Sequence, residues 1–113
     1  MDQVFEVNVA PHHGIPVVSV AGEVDVATAP TLRDRLQAQV AQGHSTLVVD
    51  LSGVTFLDST ALGVLVGALK RCRDAGGDLR LVAREPRVLK VFEITGLNEV
   101  FTMSDTVEKA VLG

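Results

Sequence analysis

The run Thr46-Leu47-Val48-Val49-Asp50-Leu51 has no alternating polar face over its first residues. A strand wetted on one side alternates apolar and polar residues, whereas a strand covered on both sides reads as a continuous apolar stretch. Downstream, Leu62, Leu65, Val66 and Leu69 fall on one helical stripe, with Ala61, Val64, Ala68 and Cys72 beside it. A helix with so wide an apolar face packs on a sheet and is largely buried. The pair predicts a layered α/β domain.

The rest of the chain supplies the other layers. Phe5, Val7 and Val9 alternate with Glu6, Asn8 and Ala10, the period of a half-buried strand. Pro11-His12-His13-Gly14 reads as a turn, and Ile15–Ala21 as the hairpin partner. Gly22-Glu23-Val24-Asp25-Val26 reads as a loop, with Thr28 as helix cap and Pro30 in the first turn. Ala29, Leu32, Leu36 and Val40 mark that helix, Arg33, Arg35, Gln37 and Gln39 its wet side, and Gly43 its end. Ser52-Gly53 reads as a turn and Val54–Leu57 as a short extended segment. Gly63 and Gly67, inside the apolar helix, predict close approach of the sheet or of another chain. Asp78–Val82 is a further strand, Pro86 starts a third helix that stops at Gly96, and Glu99–Met103 is a last strand. Ser104 or Asp105 is expected to cap a final helix through Val111. The order β-β-α-β-α-β-α-β-α implies a mixed sheet flanked by helices.

The 113 residues fit one domain, taken as residues 1–113. Apolar residues make up 47% and charged ones 21%, which excludes the composition of a disordered chain. A net charge of −4 and the absence of Trp and Tyr argue against nucleic-acid binding. Seven of the ten basic residues lie between Lys70 and Lys90, diluted by Asp74, Asp78 and Glu85, and read as a solvated helix end and strand edge. One cysteine, Cys72, excludes an internal disulfide and points to a reducing compartment. The segment Met1–Glu6 lacks a signal-peptide pattern, and the longest apolar run, Ser59–Leu69, is too short for a bilayer. A cytoplasmic protein without membrane attachment is the expectation.

In open α/β sheets, sites form where strands end and helices begin. Here that place is Asp50–Gly63, with Asp50 at a strand end and Asp58, Ser59 and Thr60 at a helix start. Asp, Ser and Thr are ordinary capping residues. They also offer a second role, with Ser59 as a phosphate acceptor on a helix dipole that tolerates the added charge. Other chemistries lack support. Ser59 has no Gly-x-Ser-x-Gly elbow, and His12, His13 and His44 sit in predicted turns as solvated residues. No phosphate-cradling glycine loop is present, no ligand spacing supports a metal, and no cofactor is called for. Cys72 falls on the apolar side of its helix, as a core residue. Val48-Val49-Asp50-Leu51 is similar to the phosphoacceptor strand of a receiver domain, but the acidic pair and the strand-end lysine are missing. Asp50 is therefore read as structural or electrostatic. Glu23, Asp25 and Asp58 form an acidic rim suited to a partner with arginines or lysines.

At these residues the chain resembles the STAS domain in its bacterial anti-sigma factor antagonist form. The likeness lies in Gly22–Pro30, in Val48–Gly63, which is its most specific part, and in Thr95-Gly96-Leu97 followed by Val100-Phe101. Ala61 departs from the pattern, where glycine is common. The resemblance implies a mixed four- to five-stranded sheet flanked by about four helices, and no enzymatic activity. It implies that the unphosphorylated chain binds an anti-sigma factor, itself a serine kinase, and releases the sigma factor. Phosphorylation at Ser59, with Thr60 as fallback acceptor, would break that complex, and a serine phosphatase would restore it. The expected partner contacts are Glu23, Asp25, Thr28, Asp58, Ser59, Thr60 and Gly63. The alternative within the family is a non-switching subunit of a transporter or stress-signalling scaffold.

Overall fold

The structure, a computed structural model, describes residues 5–113; Met1–Val4, part of the segment read above as lacking a signal peptide, lie outside them. Ten elements follow one another: β1 (Glu6–His12), β2 (Ile15–Val24), α1 (Ala29–Ala41), β3 (Leu47–Leu57), α2 (Ser59–Asp74), β4 (Leu79–Val82), α3 (Pro86–Thr95), a 3-10 turn (Leu97–Glu99), β5 (Thr102–Ser104) and α4 (Val107–Leu112). The strands form one five-stranded sheet in the order β1-β2-β3-β4-β5. β1 runs antiparallel to β2, and every later neighbour is parallel. This is the mixed sheet with four helices that the sequence implied.

Strand order explains the layers. Each crossover advances one strand in the same direction, and right-handed crossovers of that kind put their helices on one face. Leu32 and Leu36 of α1, Leu65 and Leu69 of α2, and Val88 and Phe92 of α3 share one core with Val18, Val49 and Leu81. On the opposite face α4 alone covers Val17, Val48 and Val82 through Ala110 and Val111. Val48 and Val49 are both fully buried, one on each side, which is why their segment has no polar face.

Several boundaries differ from expectation. The hairpin turn is only His13-Gly14, both at positive φ, so Pro11 and His12 belong to β1. His12 is thus a half-buried strand residue, with Nε2 4.0 Å from Glu108 Oε2, and not a solvated turn residue. β2 runs on through Val24, so Glu23 is strand and not loop. Ser52-Gly53 is no turn. β3 continues to Leu57, passing two register shifts against β2 at Ser19/Ala21 and Gly22/Glu23. At each shift β3 carries one residue more than its partner, and Gly53 fits there because a Cβ would lie 3.0 Å from the Ala21 Cβ. Asp50 therefore lies inside the strand, where its Oδ1 accepts a hydrogen bond from the Ser52 N–H at 3.0 Å. After α3, Gly96 turns left-handed and the 3-10 turn follows, so the last strand begins at Thr102 and not at Glu99. Thr106, rather than Ser104 or Asp105, caps α4 by accepting from the Lys109 N–H.

Two basic residues leave the wet side assigned to them. Arg35 donates to the Val7 carbonyl at 2.7 Å, and Arg80 donates to the Ala110 and Val111 carbonyls at 2.9 and 3.2 Å. Gly63 does not approach the sheet: a Cβ there would meet nothing within 4 Å, and at Gly67 only Arg71 Nη1, at 3.5 Å. Among the described residues no helix is long and apolar enough to cross a membrane.

Candidate functional site

The site lies where β2 and β3 end side by side. Their last pairs are Glu23 with Phe56 and Val24 with Leu57, and the Asp58 N–H donates to the Val24 carbonyl at 3.2 Å. The chain then turns directly into α2. Asp58 is extended and caps the helix: its Oδ1 accepts from the Ala61 N–H at 3.0 Å. Ser59 is the first helical residue, and both Ser59 and Thr60 are exposed. The first N–H groups of a helix have no partner within it, and the dipole leaves that end partly positive. Because the Asp58 carboxylate is engaged at Ala61, the Ser59 hydroxyl stands in water at an end that favours negative charge.

The neighbouring loop is bound tightly to itself. Asp25 Oδ1 accepts from the N–H groups of Ala27 and Thr28, at 2.9 and 3.1 Å. The Thr28 Oγ1 accepts from the Asp25 N–H at 2.9 Å and donates to the Glu23 carbonyl at 2.8 Å. Thr28 precedes α1 as expected but its side chain makes no cap bond to the helix; it closes the loop instead. Asp25 and Thr28 are thus half-buried fasteners that hold the tip, Val26-Ala27, out into solvent.

Glu23, Asp25 and Asp58 stand at or just beyond the paired ends of β2 and β3, where α2 starts with Ser59, and none takes part in an ion pair among the described residues. No cation among the described residues pairs with this acidic rim. Gly63 lies one turn along the same exposed side of α2. Two exposed apolar residues flank the rim, Val26 at 71% and Phe56 at 49%, and the sequence reading passed over the second. The extra residue in β3 at Thr55 explains Phe56: it breaks the alternation between buried Val54 and buried Leu57 and leaves Phe56 outward. Only the pairing register reveals this. Cys72 is fully buried, and burial, assisted by Asp78, pushes its thiol above the usual range, which leaves it a poor nucleophile. Among the described residues no cluster of His, Cys, Asp and Glu is placed to hold a metal ion.

The fold and site together define a small α/β domain whose distinctive surface is an exposed hydroxyl at a capped helix start, set in an acidic rim. The STAS domain model matches residues 6–110 of this chain. The anti-sigma-B factor antagonist of Bacillus subtilis (strain 168) is 40% identical over 94 residues, covering 83% of this chain and 85% of that protein. The protein of the same name from Listeria monocytogenes is 38% identical over 88 residues, covering 78% and 77%. An anti-sigma factor antagonist from Mycobacterium paratuberculosis, known from its crystal structure, is 36% identical and superposes with a TM-score of 0.89, over 96% of this chain and 92% of that one. The chain belongs to the STAS domain family.

Proposed function

We propose that the chain is an anti-sigma factor antagonist, a binding module without catalytic activity of its own, switched at Ser59. In the unphosphorylated form it binds an anti-sigma factor that is also a serine kinase, and so frees a sigma factor. Phosphorylation of Ser59 ends the complex, and a serine phosphatase restores it. The relatives that bear the antagonist name support the class of function. The observation that carries the switch is the exposure of Ser59 at the start of α2, beside a carboxylate already engaged at Ala61.

The physics of the switch is local. A phosphate adds about −1.5 to −2 charges. At a helix start that charge is favourable by about 0.3–1 kcal/mol, so α2 does not unravel. The partner meets a different surface. Cations placed to face Glu23, Asp25 and Asp58 would also have to neutralise a strongly hydrated dianion, and shedding that hydration opposes contact.

Incubation with the cognate kinase and ATP is expected to add one phosphate, located at Ser59 by mass spectrometry. Label on another residue, or equal labelling of Ser59→Ala, refutes the site. Ser59→Ala should keep the partner and Ser59→Asp should lose affinity; equal affinities would count against the charge mechanism.

A further inference from the structure

Beside the acidic rim lies a groove of about 270 Å³, lined by Glu23, Phe56 and Leu57 on one side and by Arg87, Val88 and Val91 of α3 on the other. Its volume suits one large side chain better than a drug-sized ligand, whose pockets run to about 300–1,000 Å³. Its lining mixes the apolar Phe56, Leu57, Val88 and Val91 with the polar Glu23, Thr55 and Arg87, and Phe56 is half exposed. Glu23 and Arg87 line it without forming an ion pair with each other or with any described residue. Two opposite charges thus border one groove that also presents apolar side chains, and leave it open. Arg87 also lies in the first turn of α3, where a cation opposes the helix dipole. That placement lowers the stability of the helix, and among the described residues no ion pair or hydrogen bond of the Arg87 side chain offsets it. Arginine and aromatic side chains are the types enriched at the centre of protein interfaces.

We propose that this groove is a second anchor point for the anti-sigma factor, receiving an apolar side chain of that partner with an acidic residue beside it to pair with Arg87. The inference rests on the function proposed above and adds a contact that Ser59 does not govern. Glu23 belongs to both surfaces, so the two are continuous. Around Ser59 the partner meets carboxylates and must supply cations; at the groove it must supply an anion. This reversal of sign over a short distance fixes the orientation in which the partner can dock.

The test compares full-length chains for affinity to the purified cognate anti-sigma factor, by calorimetric titration without ATP. Arg87→Glu should weaken binding about tenfold, the effect of removing one buried anchor. Its melting temperature should not fall, because the new charge suits the dipole. Phe56→Ala should weaken binding to a similar degree. If both variants bind like the parent while Ser59→Asp still loses the partner, the groove is outside the interface and the Ser59 reading stands. If sedimentation shows a dimer of the parent chain that Arg87→Glu dissolves, the occupant is a second copy and the inference fails. If the parent does not bind its cognate anti-sigma factor, the proposed function falls and the inference with it.

Discussion

At the scale of single residues, the division of labour around α2 is between Asp58, which holds the helix, and Ser59, which faces outward. The two are neighbours in a motif made of ordinary capping residues, and their roles separate only through one hydrogen bond, from Ala61 N–H to the Asp58 Oδ1. Asp58→Ala removes that cap and should lower stability by about 1 kcal/mol, read from urea unfolding at constant slope. An unchanged midpoint would mean that the cap contributes nothing. Asp25 and Thr28 are expected from the sequence as partner contacts, and their geometry gives them a structural task as well. Asp25 Oδ1 and Thr28 Oγ1 are engaged in the loop and hold Val26-Ala27 in place. Whether a polar side chain bonds its own backbone or points into solvent depends on the path of the chain, which residue type alone does not specify.

At the scale of elements, β3 and α2 carry most of the information. β3 was legible as a buried strand from Leu47-Val48-Val49, yet it was read as cut from the extended Val54–Leu57 by a turn, because Ser52-Gly53 has turn chemistry. The parallel partner β2 overrides that local preference. Its hydrogen bonds draw the segment into the sheet, and the two surplus residues are accommodated as irregularities. α2 shows the converse. Gly63 and Gly67 are poor helix residues, and the space above Gly63 is empty. Gly63→Ala should therefore stabilise the free chain, by about 1 kcal/mol at most, seen as a rise in melting temperature. A fall would show a contact at that position. On the outer side of the sheet, Arg35 occupies the Val7 carbonyl on edge strand β1. A cation laid over an edge in this way discourages pairing with another chain.

At the scale of the whole molecule, the sheet has unequal cover, three helices on one face and the short α4 on the other. Arg80 reaches the last carbonyls of α4 and fastens it over Val17, Val48 and Val82. The sealed core sets the chemistry of Cys72. Burial raises its thiol above the ordinary value, so the folded state keeps its proton where the unfolded chain has begun to lose it. That contribution to stability is intact below the unfolded thiol's pKa and is lost as pH rises through the folded one. Unfolding midpoints should accordingly fall on the alkaline side, and less so for Cys72→Ala. A disulfide reagent should label Cys72 only as fast as the domain opens; prompt labelling of the native chain would contradict its burial. Apolar periodicity by itself determined the alternation of strands and helices, the buried central strand and the helix start that carries Ser59, because those follow from local spacing and from the need to cover apolar faces. The tertiary structure alone decided the length of β2 and β3, the outward turn of Phe56, the inward use of Arg35 and Arg80, and the groove beside α3. Each of these depends on which segments become neighbours, and hydrogen bonds and contacts between distant segments leave no periodic trace in the chain.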